Sequence, residues 1–262
     1  MDNIVAIVLA AGKGKRMKSD LPKVLHTLFG RPLIEHLVDT LISMSINRIV
    51  VVVGHRADLV QKALAKYGDS VEFVVQEKQL GTGHAVIVTE NALSGYSGDI
   101  LVLAGDVPFL SRNTIERLVA LHRQEKAAAT VLSAIPPDPK GYGRIVRIPG
   151  GNLVDRIVEH KDANPEELKI GEINSGTFCF DARQLFPALR EVKADNSQKE
   201  YYITDVMAIL RHKGLKTAVC LATDPDEALG VNSAEQLAEL ENRFADKSGN
   251  YAPAGGRGRI KS

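Results

Sequence analysis

Apolar residues follow two alternating rhythms along this chain. Residues 4–9 (Ile4, Val5, Ala6, Ile7, Val8 and Leu9) are apolar on both faces and rich in β-branched side chains, the pattern of a central parallel strand covered by helices on either side. Leu33, Ile34, Leu37, Val38, Leu41 and Ile42 then recur at helical spacing, and Pro32 suits the first position of that helix. Strands are predicted over 48–53, 71–75 and 99–104, with helices over 58–66 and from Thr82 onward between them. This alternation predicts an α/β fold with a Rossmann-like, doubly wound, mostly parallel sheet. Ligands of such a sheet bind where the loops beyond the strands' carboxyl ends gather.

A helix beginning near Ser111 (Ile115, Leu118, Val119, His122) leads to a strand over 128–134, after which Pro136, Pro137 and Pro139 break the rhythm. Strand-like stretches at 144–148, 153–160 and 173–180 follow with few helices between them, which predicts a smaller mixed lobe beside the crevice. Helices are expected at 182–189, 203–211 and 233–246, with a strand at 215–221. Residues 249–262, rich in Gly, Arg and Lys and without periodic apolar positions, read as a disordered tail. No hexapeptide β-helix repeat is visible.

At 262 residues and 44% hydrophobic content the chain can bury a sizeable core. A formal net charge of +1 offers no broad field for nucleic acid or an acidic membrane surface, so any phosphate binding must be local. The two cysteines, Cys179 and Cys220, lie in apolar runs without metal spacing and read as buried reduced thiols. The N-terminus lacks a basic n-region and its apolar run is short, which makes the cytoplasm the expected compartment, with no membrane partner.

Within that frame, Leu9-Ala10-Ala11-Gly12-Lys13-Gly14-Lys15-Arg16-Met17 directly follows the first strand, and Leu21-Pro22-Lys23 comes soon after. The glycines let backbone N–H groups approach a phosphate chain, while Arg16 and Lys23 add positive charge. A dinucleotide fingerprint would need Gly where Met17 stands, and the Walker A spacing is absent too. Gly105-Asp106-Val107-Pro108 ends another central strand, which makes Asp106 a candidate Mg²⁺ ligand or, alternatively, an Asx-turn residue. Gln76 ends a strand and can offer an amide to a base edge, with Gly81 and Thr82 beside it at a helix start; the alternative is that Thr82 caps that helix. Further glycine or polar breaks fall at 141–144, 158–162, 174–176 and 230–232. No GxSxG elbow, HExxH or clustered histidines occur, so hydrolase and zinc chemistry lack support.

Taken in order, the segments 9–17, 21–23, 79–85, 105–108, 141–144, 159–162 and 200–205 resemble the uridylyltransferase half of the bacterial bifunctional N-acetylglucosamine-1-phosphate uridylyltransferase/glucosamine-1-phosphate acetyltransferase family. The resemblance covers about residues 3–245 and lacks that family's C-terminal β-helix. It therefore implies neither acetyl transfer nor a β-helix-built trimer, and a monomer or weak oligomer is expected. It implies a nucleotidyltransferase domain over 1–248, with a nucleotide-binding part to about 135, a sugar-binding part over 136–232 and a closing helix.

By the same resemblance, Leu9, Ala10, Ala11, Gly12, Gly14, Lys23, Gln76, Gly81, Thr82, Ala104, Gly105 and Asp106 hold the nucleotide. Gly143, Glu159, Asn174 and Asn232 hold the sugar, Asp106 and Asn232 ligate Mg²⁺, and Arg16 and Lys23 act on the reacting phosphates. Ala104, and Ser175 after Asn174, depart from the residues more usual there and bear on fine selectivity. The implied reaction joins UTP and N-acetylglucosamine-1-phosphate into UDP-N-acetylglucosamine and pyrophosphate. Rival readings are a nucleotidyltransferase for another sugar phosphate or nucleotide, and an inactive sugar-nucleotide-binding protein; a dinucleotide-dependent oxidoreductase is disfavoured by Met17.

Overall fold

A computed structural model describes residues 3–245; the tail expected over 249–262 and the last residue of the expected closing helix lie outside them. The chain opens with β1 (Ile4–Ala10), then a small antiparallel hairpin of β2 (Thr27–Leu28) and β3 (Arg31–Pro32). There follow α1 (Leu33–Ser43), β4 (Ile49–Val53), α2 (Ala57–Leu64), β5 (Val71–Val75), α3 (Thr82–Ile87) and β6 (Asp99–Ala104). Next come α4 (Arg112–Gln124), β7 (Ala129–Ala134), β8 (Arg144–Arg147) and β9 (Val154–Val158). The rest is β10 (Ile173–Asp181), α5 (Ala182–Leu189), α6 (Asp205–His212), β11 (Thr217–Leu221) and α7 (Ala234–Ala245).

The main sheet has the order β11-β7-β10-β6-β1-β4-β5. Every pairing along it is parallel except those of β10, which runs antiparallel to both β6 and β7. β1 lies near the middle, and successive side chains enter opposite cores. Ala6, Val8 and Ala10 pack with Leu37, Leu41, Val60 and Leu118 of α1, α2 and α4; Val5 and Ile7 pack with Val86, Leu185, Val206 and Met207 of α3, α5 and α6. Helices thus cover both faces, as the doubly apolar strands require. Both cysteines are free and buried.

β5, β6 and α5 have the bounds that the hydrophobic pattern predicts. Ser111 caps α4, its hydroxyl accepting from the Thr114 N–H at 3.2 Å. Pro32 differs from expectation: it is the residue before α1, in an extended conformation (φ −50°, ψ 138°), and closes the hairpin. Proline's fixed φ suits either place, and the hairpin decides between them because the Leu33 N–H donates to the His26 carbonyl at 3.0 Å. β10 and β11 follow the proline break in sequence yet hydrogen-bond within the main sheet, while β8 and β9 extend from β10 as an antiparallel pair. α7 folds back on the hairpin: Leu240 joins Leu28, Leu33, Phe109 and Val231 in a small separate core.

Candidate active site

The loop after β1 is shaped by what must pass close to it. A Cβ on Gly14 (φ +59°) would lie 2.6 Å from Lys23 Cβ, so glycine lets the lysine run against the loop. Met17 is buried and its N–H donates to the Gly14 carbonyl at 2.8 Å. An apolar anchor thus holds the turn where a dinucleotide fingerprint would place its last glycine. Gly105 packs behind the loop, donating its N–H to the Leu9 carbonyl at 2.9 Å.

Four polar side chains from distant segments converge beside this turn. Lys23 Nζ bonds the Asp106 carboxylate and donates to Asn232 Oδ1 at 3.2 Å, and Arg16 Nη2 donates to the same oxygen at 2.9 Å. Asn232 is itself fixed, its N–H donating to Gln236 Oε1 at 2.8 Å and its Nδ2 to the Gly230 carbonyl at 3.2 Å. The neighbouring Val231 N–H donates to the Asp106 carbonyl at 2.9 Å, so the two candidate ligand loops are joined through the backbone. Tyr142 Oη lies 3.4 Å from the Gly230 carbonyl. Burial, followed by the Asp106 charge, pushes its phenol above the ordinary range. The Asp106 side chain bonds Lys23 across the loop, which disfavours a purely turn-forming role.

A cavity of about 540 Å³ opens from the same turn, within the range of small-molecule sites. Leu9, Ala10, Ala11, Gly12, Gly14, Lys23, Gln76, Gly81, Thr82, Ala104 and Asp106 all line it. Its far wall is the start of α3. Gly81 adopts φ +110°, and a Cβ there would lie 2.6 Å from the Tyr201 carbonyl oxygen. The Gly83 N–H donates to that same oxygen at 2.7 Å. Thr82 does not cap the helix; Gly81 stands at the cap position, and Thr82 Oγ1 accepts from the Ile203 N–H at 3.1 Å. The 79–85 and 200–205 segments are therefore two halves of one wall.

Gly143, Glu159 and Asn174 gather at a second place. The Asn174 N–H donates to the Gly143 carbonyl at 2.9 Å, and a Cβ on Gly143 would lie 3.5 Å from Glu159 Oε2. Asn174 sits where the β10 register shifts, with its Oδ1 accepting from the Gly176 N–H at 2.9 Å. That bulge turns the strand toward the end of β6, where Gly176 approaches Ala104. Burial raises the Glu159 carboxyl despite a 3.1 Å bond donated by Thr204 Oγ1, and Asp205, Asp162 and Glu200 add to the rise. Asn232 stands with Lys23 and Arg16 rather than with this group.

A family model described as the MobA-like NTP transferase domain matches residues 6–213. The chain belongs to this family. It is 53% identical over 241 residues to a protein named "Bifunctional protein GlmU" from Brevibacillus brevis, covering 92% of this chain and 51% of that protein. It is 50% identical to the protein of the same name from Halalkalibacterium halodurans, with 92% and 52% coverage. The chain thus spans about half the length of these curated relatives. A solved UDP-glucose pyrophosphorylase complexed with UDP-glucose superposes with a TM-score of 0.73 at 20% identity, over 94% of this chain and 100% of that one, a likeness of fold.

As an NTP transferase domain, the chain presents cavity residues for which sequence reading assigned no role: Lys13, Val24, Gln79, Ala85 and Glu200. Gln79, Ala85 and Glu200 fall inside motifs already conspicuous in the sequence, so their signal was membership of a non-periodic polar segment. Among the described residues no three His, Cys, Asp or Glu side chains gather as a metal cluster. The available donors are the Asp106 carboxylate and the Asn232 amide oxygen, hard oxygens already sharing one cationic ammonium group. This set fits Mg²⁺, which takes one or two protein oxygens and completes its shell with water and phosphate. Among the described residues no helix is long and apolar enough to cross a membrane.

Proposed function

We propose that this domain transfers a uridylyl group from UTP to N-acetyl-α-D-glucosamine-1-phosphate, with Mg²⁺, releasing pyrophosphate and forming UDP-N-acetylglucosamine in the cytoplasm. The observation that carries the reading is the convergence of Lys23, Arg16, Asp106 and Asn232 beside the glycine turn. The GlmU name shared by relatives about half identical to this chain supports the choice of substrates.

The reaction forms a bond between a sugar-phosphate oxygen and the α-phosphorus and breaks the bond from that phosphorus to the bridging oxygen of pyrophosphate. A phosphate monoester has a second pKa of about 6, so the nucleophile is already largely dianionic near neutral pH and requires no general base. The barrier is charge: each pair of unit charges at 4 Å repels by about 4 kcal/mol at an effective dielectric of 20. Asp106 and Asn232 would hold Mg²⁺, which supplies neutralising charge and a template for phosphate oxygens when bound. Lys23 and Arg16 offer positive charge at the mouth of the turn, and the N–H groups at 11–14 offer donors to the phosphate chain. Gln76, Gly81 and Thr82 line the end of the cavity suited to a base. Gly143, Glu159 and Asn174 offer a carbonyl, a carboxyl and an amide suited to sugar hydroxyl and acetamido groups.

Pyrophosphate release measured over a grid of nucleoside triphosphates and sugar-1-phosphates tests the proposal. UTP with N-acetylglucosamine-1-phosphate should give the highest kcat/KM. A higher value for glucose-1-phosphate or for another nucleotide would replace the substrate assignment, and no release with any pair would remove the catalytic one.

A further inference from the structure

Gln76 is 2% exposed and lines the cavity, and the hydrogen bonds of its side chain restrict what it can offer a ligand. Its Nε2 lies 3.1 Å from the Gly81 carbonyl oxygen and 2.9 Å from His84 Nδ1. A carbonyl only accepts, so the amide atom facing Gly81 is the NH₂ group. That NH₂ has one hydrogen left for His84, so His84 Nδ1 must carry a lone pair and the ring proton must sit on Nε2. Both amide hydrogens are then committed, and Oε1 is the side chain's remaining hydrogen-bonding atom, an acceptor.

We infer that His84 is a positioning residue for base selectivity: it holds the Gln76 amide in the orientation that offers a ligand an oxygen and no N–H. An acceptor fixed there favours a pyrimidine whose ring N3 carries a hydrogen, as in uracil, over cytosine, whose N3 is itself an acceptor. His84 belongs to α3, the helix whose start also supplies Gly81, so both acceptors that orient the amide come from one rigid turn. Burial holds the His84 imidazole below its ordinary pKa, which keeps it neutral as the arrangement requires. The base preference rests on the uridylyl reading above, whereas the amide orientation does not.

Two measurements test this. In the full chain labelled with ¹⁵N-histidine near neutral pH, the His84 resonances, assigned by their loss in His84→Asn, should show an unprotonated Nδ1 and a protonated Nε2. A protonated Nδ1 would overturn the inference. The second compares His84→Leu, which has no acceptor, with His84→Asn, whose Oδ1 stands as many bonds from the backbone as Nδ1. In His84→Leu the preference for UTP over CTP should fall about tenfold, the loss of one buried hydrogen bond, and the change should appear in KM rather than kcat. His84→Asn should restore most of the preference. An unchanged ratio in His84→Leu, or an equal loss in both variants, would overturn the inference. Should the wild type fail to turn over UTP, the uridylyl reading falls, while the tautomer and the ratio of UTP to CTP dissociation constants still decide the role of His84.

Discussion

Lys23 and Asp106, separated by 83 positions, form an ion pair at the mouth of the cavity, with side chains only 21% and 11% exposed. Asn232 shares the same ammonium group, so one cation holds together three segments of the chain. Removing either charge leaves the other poorly solvated, and the effect should reach function before fold. Lys23→Ala and Arg16→Ala should each lower kcat tenfold or more, a loss of at least about 1.4 kcal/mol of transition-state stabilisation. Asp106→Asn should abolish Mg²⁺-dependent turnover while its circular dichroism stays native. Wild-type turnover of Asp106→Asn at limiting Mg²⁺ would remove its role as a ligand.

Tyr142 links the 138–143 loop to the loop carrying Asn232 through the Gly230 carbonyl at 3.4 Å. Tyr142→Phe deletes the phenol's weak hydrogen bonding to Gly230 and to the Asn232 side chain and keeps the ring, so stability should change by no more than about 1 kcal/mol. The Mg²⁺ concentration for half-maximal activity should rise several-fold, because Asn232 then loses one support of its loop. An unchanged Mg²⁺ titration would show that the phenol plays no part in placing Asn232.

Gly81 should tolerate no side chain. At φ +110°, with Cβ positions 2.6 and 2.8 Å from the Tyr201 backbone oxygen and nitrogen, Gly81→Ala must push apart two backbone segments that bond each other. A cost of about 2–4 kcal/mol is expected, which lowers Tm by roughly 5–15 °C for a domain of this size. A melting curve superposable on that of the wild type would show that the wall yields without cost.

Asp205, at the first position of α6, is half-buried and has its pKa pushed up to about 6, first by burial and then by the Asp162 charge. In the unfolded chain an aspartate titrates near 3.9, so the native state holds the proton more tightly. The stabilisation from that proton is fully present below about pH 4 and is lost as pH rises through about 6. Solvent screening of a half-exposed group, and the favourable field at a helix start, limit the net penalty of the charge to about 1 kcal/mol. Asp205→Asn should therefore be more stable than the wild type by about that amount at pH 8, with little difference at pH 4, as read from urea unfolding at both pH values. A variant less stable than the wild type at pH 8 would reverse the sign assigned to this carboxyl.

Much of this design is legible in one dimension. The doubly apolar run at 4–9 can be satisfied only with helices on both faces, and Gly14 after it allows Lys23 to pass close to the backbone. The bounds of β5, β6 and α5 follow from local periodicity, because a strand or helix shows its buried face every second or every third to fourth residue. Gln76 and Asp106 could be named as site candidates because each stands just past an apolar run, and Gly81 because it stands at a helix start.

What spacing leaves undecided is which distant segments meet. β10 reads like any other strand, yet its place between β6 and β7, running against both, brings Gly176 beside Ala104. The two-residue strands of the small hairpin are too short to have a period, and their packing against Leu240 of α7 brings the C-terminal segment back beside Lys23. The local chain thus determined the main elements, the core faces and the glycine-rich turn. Only the tertiary structure decided that Asn232 shares the lysine of that turn and that Tyr201 closes the wall at Gly81, because long-range pairing is set by how a whole sheet buries its two faces and leaves no mark in the spacing of nearby residues.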